Sequence, residues 1–320
     1  MKYALVDVFN MNYSASAETQ KRIVFTSAIS SGKSSENSAI LLAESVRAYA
    51  GTLSKSPIWY YVPFNGDELS FEAEERLLAL DVDLITFKVD QEASKFFFVP
   101  EVVAAAEAEE MAQGKTDVLA WLGSNTVVLQ EPRDFLLPGG KNVGYRPVHH
   151  TLVGSRFGEP LDPFWRIVYE RCGVKEDRVF PMQTHVDGET IRPYLNAGLL
   201  VTRPEKRLIQ RWRDSFLSIY RETELERIYK TDSRYRIFIH QAVLSGITMA
   251  SFSCSELLEL PPTYNYPIHL YDEDTTGHRP RGLEELVTFR HEEFYKDPDW
   301  EEKMPAGEPL KRWIAEKLLI

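Results

Sequence analysis

The stretch Thr116–Pro132 has the sequence TDVLAWLGSNTVVLQEP and gives the strongest indication of the fold. Its apolar run Val118–Leu122 is short enough for a buried strand. The polar residues Gly123–Asn125 interrupt it, and a second apolar run, Val127–Leu129, follows. A strand that stops at three small polar residues and then resumes predicts that those residues lie at a sheet edge. In an open α/β sheet, the edge at the carboxyl ends of the strands binds ligands.

The composition of the chain is that of an ordinary globular protein. Of 320 residues, 43% are hydrophobic and 27% are charged, and the net charge is −11. The negative charge argues against a nucleic-acid-binding surface.

Cys172 and Cys254 are too few for a disulfide framework and favour a reducing compartment. The sequence has no apolar run of about 18 residues, so we expect no transmembrane segment. The short apolar stretch near the amino terminus contains Asp7, which argues against a signal peptide. We therefore expect a cytoplasmic protein.

Predicted strands and helices alternate along the first half of the chain, which is typical of βαβ units and a mainly parallel sheet. We predict strands over residues 4–9, 22–29, 57–63, 82–89, 118–122, 127–129, 141–148, 194–202, 248–252 and 286–289. We predict helices over residues 38–50, 70–80, 100–114 and 162–173, one from residue 204, one from 232 to 246, and one from 309. We find no linker. The pattern predicts one α/β domain over residues 1–320, with a core over about 22–300 and a terminal helix over about 309–320.

The sequence Ser31-Gly32-Lys33-Ser34 lies between a predicted strand and a predicted helix, where a phosphate-binding P-loop would lie. A P-loop requires a glycine five positions before the Gly-Lys pair. Ser27 occupies that position, so a surface loop is the better interpretation.

The central stretch resembles a segment of GT-A-fold glycosyltransferases, which use nucleotide-diphosphate sugars. In that family the segment has the form hydrophobic strand, Trp-Leu-Asp-x-Asp-Thr, hydrophobic strand, Pro. Trp121, Leu122 and Thr126 match, but Gly123 and Asn125 stand where the family has the two metal-binding aspartates. The resemblance implies a Rossmann-like mixed, mainly parallel sheet with helices on both faces. It also implies a degenerate metal motif and places Ser124 and Asn125 beside the donor.

Two further strands resemble family segments that contact the donor. The strand that ends at Thr26-Ser27 resembles the first family strand, whose end meets the nucleotide. The segment YLNAGLLVT places Asn196 where a family asparagine points into the donor and acceptor pocket. A buried asparagine must find hydrogen-bond partners, and Gly198 lets a ligand or backbone approach closely. An asparagine that only bonds neighbouring main chain is the alternative.

The carboxyl-terminal half contains three further resemblances. The segment IHQAVLSGI matches a family helix at Gln241, and His240 stands at its acidic position as a candidate acid or base. A histidine that only packs in the core is the alternative. The turn LPPTYNYP resembles one that packs beneath the pocket. In LVTFRHEEF, Arg290 and His291 are candidate diphosphate contacts, with an exposed surface pair as the alternative.

The pair His149-His150 is discounted as a metal site, because adjacent strand residues point to opposite faces.

The missing aspartates predict weak or absent binding of Mn²⁺ or Mg²⁺, because such ions favour carboxylate oxygens. If an ion binds, Asn125 and His291 are its candidate ligands. Arg290, His291 or helix N-terminal amides would otherwise stabilise the leaving diphosphate.

The resemblance implies transfer of a sugar from a UDP- or GDP-sugar to a glycan or other hydroxyl acceptor. A non-catalytic protein of the same fold that binds a nucleotide sugar or a glycan is the main alternative. A nucleotidyltransferase that makes nucleotide sugars is a third, but its usual Gly-rich basic loop fits SSGKSSENS poorly.

Overall fold

The computed structural model describes residues 22–64, 68–292, 294–303 and 306–318. The strand predicted over residues 4–9 lies outside them. The strands are β1 (Ile23–Ala28), β2 (Ile58–Pro63), β3 (Val82–Phe87), β4 (Val118–Leu122), β5 (Thr126–Val128), β6 (Val143–Pro147), β7 (Met182–Gln183), β8 (Thr190–Ile191), β9 (Leu195–Thr202), β10 (Leu257–Glu259), β11 (Tyr266–Pro267) and β12 (Thr288–Arg290).

The helices lie between these strands or follow them. They are α1 (Lys33–Tyr49), α2 (Phe71–Ala79), α3 (Val99–Ala112), α4 (Pro163–Cys172), α5 (Leu208–Ile219), α6 (Thr223–Thr231), α7 (Ser233–Ser251), α8 (Trp300–Lys303) and α9 (Leu310–Leu318). Within the described ranges, no helix is both long enough and apolar enough to cross a membrane.

The central sheet has seven strands in the order β10-β6-β9-β4-β1-β2-β3. The pairs β1–β2, β1–β4, β2–β3 and β6–β10 are parallel, and β9 is antiparallel to both of its neighbours. The predicted mixed, mainly parallel sheet is therefore confirmed. Because β9 runs the other way, its amino-terminal end lies beside the carboxyl ends of β4 and β6.

Helices cover both faces of this sheet because its strands alternate side chains between two apolar layers. On one face Phe25 and Leu122 pack with α1 and α2. On the other face Leu119 and Leu200 pack with α3, α4, α5 and α7. Both faces are buried, which explains why the parallel strands read as continuous apolar runs in the sequence.

A smaller sheet, in the order β11-β12-β5, adjoins the carboxyl edge of the large one. Strand β12 is antiparallel to β5, with Arg290 opposite Thr126. The turn Gly123–Asn125 thus joins β4 in the large sheet to β5 in the small sheet. The amide of Gly123 donates to Gly198 O at 2.8 Å, and the amide of His291 donates to Asn125 O at 3.1 Å.

Helix α7 corrects two predictions from the sequence. It does not end at Gly246 but continues to Ser251, so the strand predicted over residues 248–252 is wrong. The glycine serves close packing between helices, because a Cβ at Gly246 would lie 2.8 Å from Cys172 Sγ. Helix α1 likewise begins at Lys33, earlier than predicted, and takes in part of the predicted loop.

Candidate functional site

A cavity of about 730 Å³ lies at the carboxyl edge of the central sheet. Its floor is formed where β1 and β4 end and where β9 begins. The turn Gly123–Asn125 and the end of β12 close one side, and the first turn of α3 with part of α7 closes the other. The edge that the sequence predicted for a ligand is therefore concave and accessible.

Most of the side chains predicted for the site line this single cavity. They are Ser27, Ser124, Asn125, Asn196, Gly198, His240, Gln241 and Arg290. Thr26 and His291 do not line it, and both are buried. Thr26 lies in β1, directly before Ser27, and the backbone of His291 holds the turn at Asn125. Donor contacts by Thr26 and His291 stay predictions.

The guanidinium of Arg290 fills the space in front of two glycines. A Cβ at Gly123 would lie 3.6 Å from Arg290 Cζ, and a Cβ at Gly198 would overlap the guanidinium. Neither glycine has a positive φ among the described residues. The lack of a side chain at Gly198 therefore provides room for Arg290, whereas a Cβ at Gly123 would crowd Asn125 Oδ1 at 3.0 Å and only touch the guanidinium.

Arg290 carries the positive charge of the cavity and is held by a carboxylate. It forms an ion pair with Glu292, and its side chain is 17% exposed. Burial alone would raise the pKa of Glu292, but Arg290, a hydrogen bond from Asn125 and the ring of His269 lower it overall. The carboxylate is therefore ionised at neutral pH, and it fixes the guanidinium beside the Gly123–Asn125 turn.

Asn196 and Gln241 build the wall next to Arg290. Asn196 Oδ1 accepts a hydrogen bond from the Gly198 amide at 2.8 Å, and Gln241 Oε1 accepts one from the Ala197 amide at 2.9 Å. Asn196 Nδ2 lies 3.4 Å from His149 Nε2. Asn196 thus bonds main chain, as the alternative interpretation holds, while it also lines the cavity.

His149 and His150, which the sequence led us to discount as a metal pair, both line the cavity. They follow Pro147, where β6 ends, so the argument from opposite strand faces does not apply to them. The rings of His149 and His269 lie 6.1 Å apart. Burial, together with nearby His185 and Arg290, holds the pKa of His149 well below its usual value. His149 is therefore a neutral hydrogen-bonding group.

His240 lies on the opposite wall, stacked on Phe98 with ring centroids 4.1 Å apart. Its Nδ1 donates to Ile237 O at 2.9 Å, which leaves Nε2 as an acceptor. Burial lowers the pKa of His240 to about 3. The imidazole is neutral at neutral pH and is a weak base, so a catalytic acid or base role for His240 stays a prediction.

The same wall is largely apolar. Phe98 precedes α3 with a positive φ of 63°, which bulky residues rarely adopt. Trp121, Trp212 and Phe238 also line the cavity. Aromatic faces of this kind suit a ligand that has both apolar and hydroxyl-bearing surfaces.

The residues at the turn do not fit a divalent metal ion. Gly123 has no side chain, Asn125 is neutral, and a guanidinium occupies the adjacent space. Across the described ranges, no group of three or more histidine, cysteine, aspartate or glutamate side chains could hold a metal ion.

Comparison with known proteins agrees with this architecture. The chain is similar over 99% of its length to 53% of WbbM, a bifunctional glycosyltransferase, with a TM-score of 0.50 and 14% identity. Two further similarities have TM-scores of 0.46. Mouse xyloside xylosyltransferase 1 is 14% identical, and the similarity covers 85% of this chain and 97% of that protein. The galactosyltransferase LgtC, solved with donor and acceptor sugar analogs, is 13% identical, and the similarity covers 91% of this chain and 99% of LgtC. No curated protein sequence matches.

The fold is the GT-A fold of glycosyltransferases. The family model for the Rhodobacterales glycosyltransferase domain matches residues 27–250. The chain belongs to that family. It spans about half the length of WbbM, so the activities of the longer protein do not transfer to it directly.

Substitution of Gly198 by alanine tests how Arg290 is packed. The added Cβ overlaps the guanidinium and comes 3.0 Å from Asn196 Oδ1, so the side chain must move. Overpacking of this kind costs about 1–3 kcal/mol of unfolding free energy, which urea denaturation measures. Gly277→Ala is the matched control, because its Cβ meets nothing within 4 Å. Equal stability of the two variants would contradict the close packing.

Proposed function

We propose that this protein transfers a sugar from a nucleotide-diphosphate donor to an acceptor hydroxyl, with Arg290 in place of a divalent metal ion. The observation that carries the proposal is the guanidinium in front of Gly123 and Gly198. Membership of a glycosyltransferase family and the GT-A fold support the reaction class. UDP- and GDP-sugars are both donors that this chemistry would accept, with a glycan or another hydroxyl compound as acceptor.

The departing diphosphate needs positive charge as the bond between its oxygen and the anomeric carbon of the sugar breaks. A guanidinium presents a rigid fork of N–H donors that matches two phosphate oxygens at once. The guanidinium of Arg290 lines the cavity. Asn125 and Asn196, on either side of it, offer neutral hydrogen bonds. These residues bind and orient the diphosphate, and no step in this scheme requires a metal ion.

Donor binding is expected to depend little on Mn²⁺ or Mg²⁺. Calorimetric affinity for UDP and GDP should change by less than about threefold between EDTA and either ion at millimolar concentration, because the site lacks carboxylate ligands. Consumption of UDP- and GDP-sugars by the purified protein should be equally insensitive. Strong metal dependence of either measurement would show that other residues form a metal site.

The alternative is a non-catalytic protein that binds a nucleotide sugar or a glycan. The absence of two metal-binding aspartates is the feature that favours it. Donor turnover separates the two functions: binding of a nucleotide sugar without transfer or hydrolysis, across a panel of acceptors, would favour the alternative.

We also propose that the described residues act as one domain. An apolar cluster joins the carboxyl-terminal segment to the sheets, since Ile314 and Trp300 pack with Leu41, Val127 and Phe289. Removal of α9 should therefore expose core surface and lower the melting temperature of the whole chain.

A further inference from the structure

The cavity contains two carboxylates among the described residues that line it, Glu101 and Glu292. Glu292 is committed to its ion pair with Arg290 and to Asn125. Glu101 forms no ion pair with any arginine, lysine or histidine in the described part of the chain, and its side chain is accessible from the cavity. The cavity therefore has a cationic side at Arg290 and a carboxyl group, Glu101, that is paired with no described side-chain cation.

Glu101 lies in the first turn of α3, where Pro100 and Val102 also line the cavity. One turn earlier, Phe98 stacks on His240 of α7. The next residue of α7, Gln241, bonds the backbone beside Asn196. A continuous set of contacts thus joins the wall that carries Glu101 to the strand that packs against Arg290.

The surroundings of Glu101 favour hydroxyl groups as its partners. A carboxylate would repel a diphosphate, so Glu101 and the phosphates must occupy different parts of the cavity. An ionised carboxylate accepts several hydrogen bonds and donates none, which suits neighbouring hydroxyls of a sugar. The aromatic side chains on the same wall offer apolar surface to the C–H face of a pyranose ring. Desolvation by the surrounding protein raises the pKa of Glu101, as expected inside a concave site.

We propose that Glu101 binds the hydroxyl groups of the sugar that is transferred, and so helps to determine which sugar the protein accepts. This inference rests on the proposed function, because it takes a nucleotide-diphosphate sugar as the ligand. Arg290 holds the diphosphate, and Glu101 holds the sugar attached to it. Glu101 is thus a specificity-determining residue, and loss of its charge should affect the sugar without affecting the nucleotide.

Glu101→Gln tests this division with little change of shape. Affinities for UDP, UDP-glucose, UDP-galactose, GDP and GDP-mannose are measured by calorimetry for parent and variant. Hydrogen bonds to a charged group contribute more than those to a neutral one, so the variant should bind the preferred nucleotide sugar about 10-fold more weakly. The corresponding nucleoside diphosphate should bind within about twofold of the parent. Glu110→Gln, on the exposed side of the same helix, should change neither affinity.

Equal losses for the sugar-bearing and sugar-free nucleotide would overturn the inference and place Glu101 beside the nucleoside. No loss for either ligand would overturn it as well. In both of these results the parent binds nucleotide sugar, so the proposed function survives. If the parent binds none of the five compounds, the proposed function fails and this inference fails with it. Melting temperatures of the two variants confirm that both remain folded.

Discussion

Arg290→Ala is expected to lower the affinity for UDP or GDP by about 30-fold or more, with little change for the free nucleoside. In the proposed donor complex only the diphosphate contacts the guanidinium, so the loss should be confined to ligands that carry it. The pair with Glu292 is only partly buried, so the loss should lie near the lower end of the range of about 2–5 kcal/mol that truncating one partner of a buried charge pair costs. Here the remaining charge is Glu292, whose carboxylate would then repel the diphosphate.

Two further variants separate the causes of this loss. Arg290→Lys keeps the charge but loses the planar fork, so its affinity should lie between those of parent and alanine variant. Arg290→Ala combined with Glu292→Gln removes the uncompensated carboxylate and should recover part of the affinity. Calorimetry with UDP, GDP, uridine and guanosine gives the four comparisons. Equal losses for nucleoside and nucleoside diphosphate would assign Arg290 a purely structural role.

The fold was predictable because its strands and helices are encoded locally. Val118–Leu122 is a short apolar run between polar breaks, and β4 has these bounds in the structure. The predicted ends of α3, Pro100 and Gly114, each lie within two residues of the ends in the structure. Helix α7 was predicted too short, because Gly246 resembles a stop in sequence. Only the contact with Cys172 shows that it is a packing position.

The site was predictable in part, and its limits have a physical cause. Asn196 and Gly198 stand out because a polar residue and a glycine interrupt an apolar strand. The position of Arg290 between Gly123 and Gly198 depends on the antiparallel pairing of β12 with β5, which joins residues far apart in sequence. Glu101 sits in a helix rich in alanine and glutamate, where no local pattern distinguishes it from solvent-exposed glutamates such as Glu110. Its place in the cavity follows from the packing of α3 on the sheet.

The buried histidines lead to a second large effect, on stability. Burial lowers the pKa of His240 to about 3 in the folded protein, whereas an unfolded chain has a value of about 6.5. Between these values the unfolded state binds more protons, so stability rises with pH. The contribution is therefore fully present above pH 6.5 and is lost progressively as pH falls toward 3. The pKa values of His149 and His185 are lowered in the same direction, mainly by burial.

At pH 5 the loss from His240 alone is about 2 kcal/mol, since 1.5 pH units at about 1.4 kcal/mol each separate that pH from 6.5. Urea denaturation at pH 7 and pH 5 measures the difference in unfolding free energy for the parent. His240→Asn and His240→Phe remove the titrating group, so each should reduce that difference by about 2 kcal/mol, whatever its stability at pH 7. Other groups that titrate in this window, such as Glu109, whose pKa burial raises to about 7, are common to parent and variants and cancel in the comparison. The same pH dependence in parent and both variants would show that the pKa of His240 in the folded protein lies close to its value in the unfolded chain, which would contradict the lowered pKa.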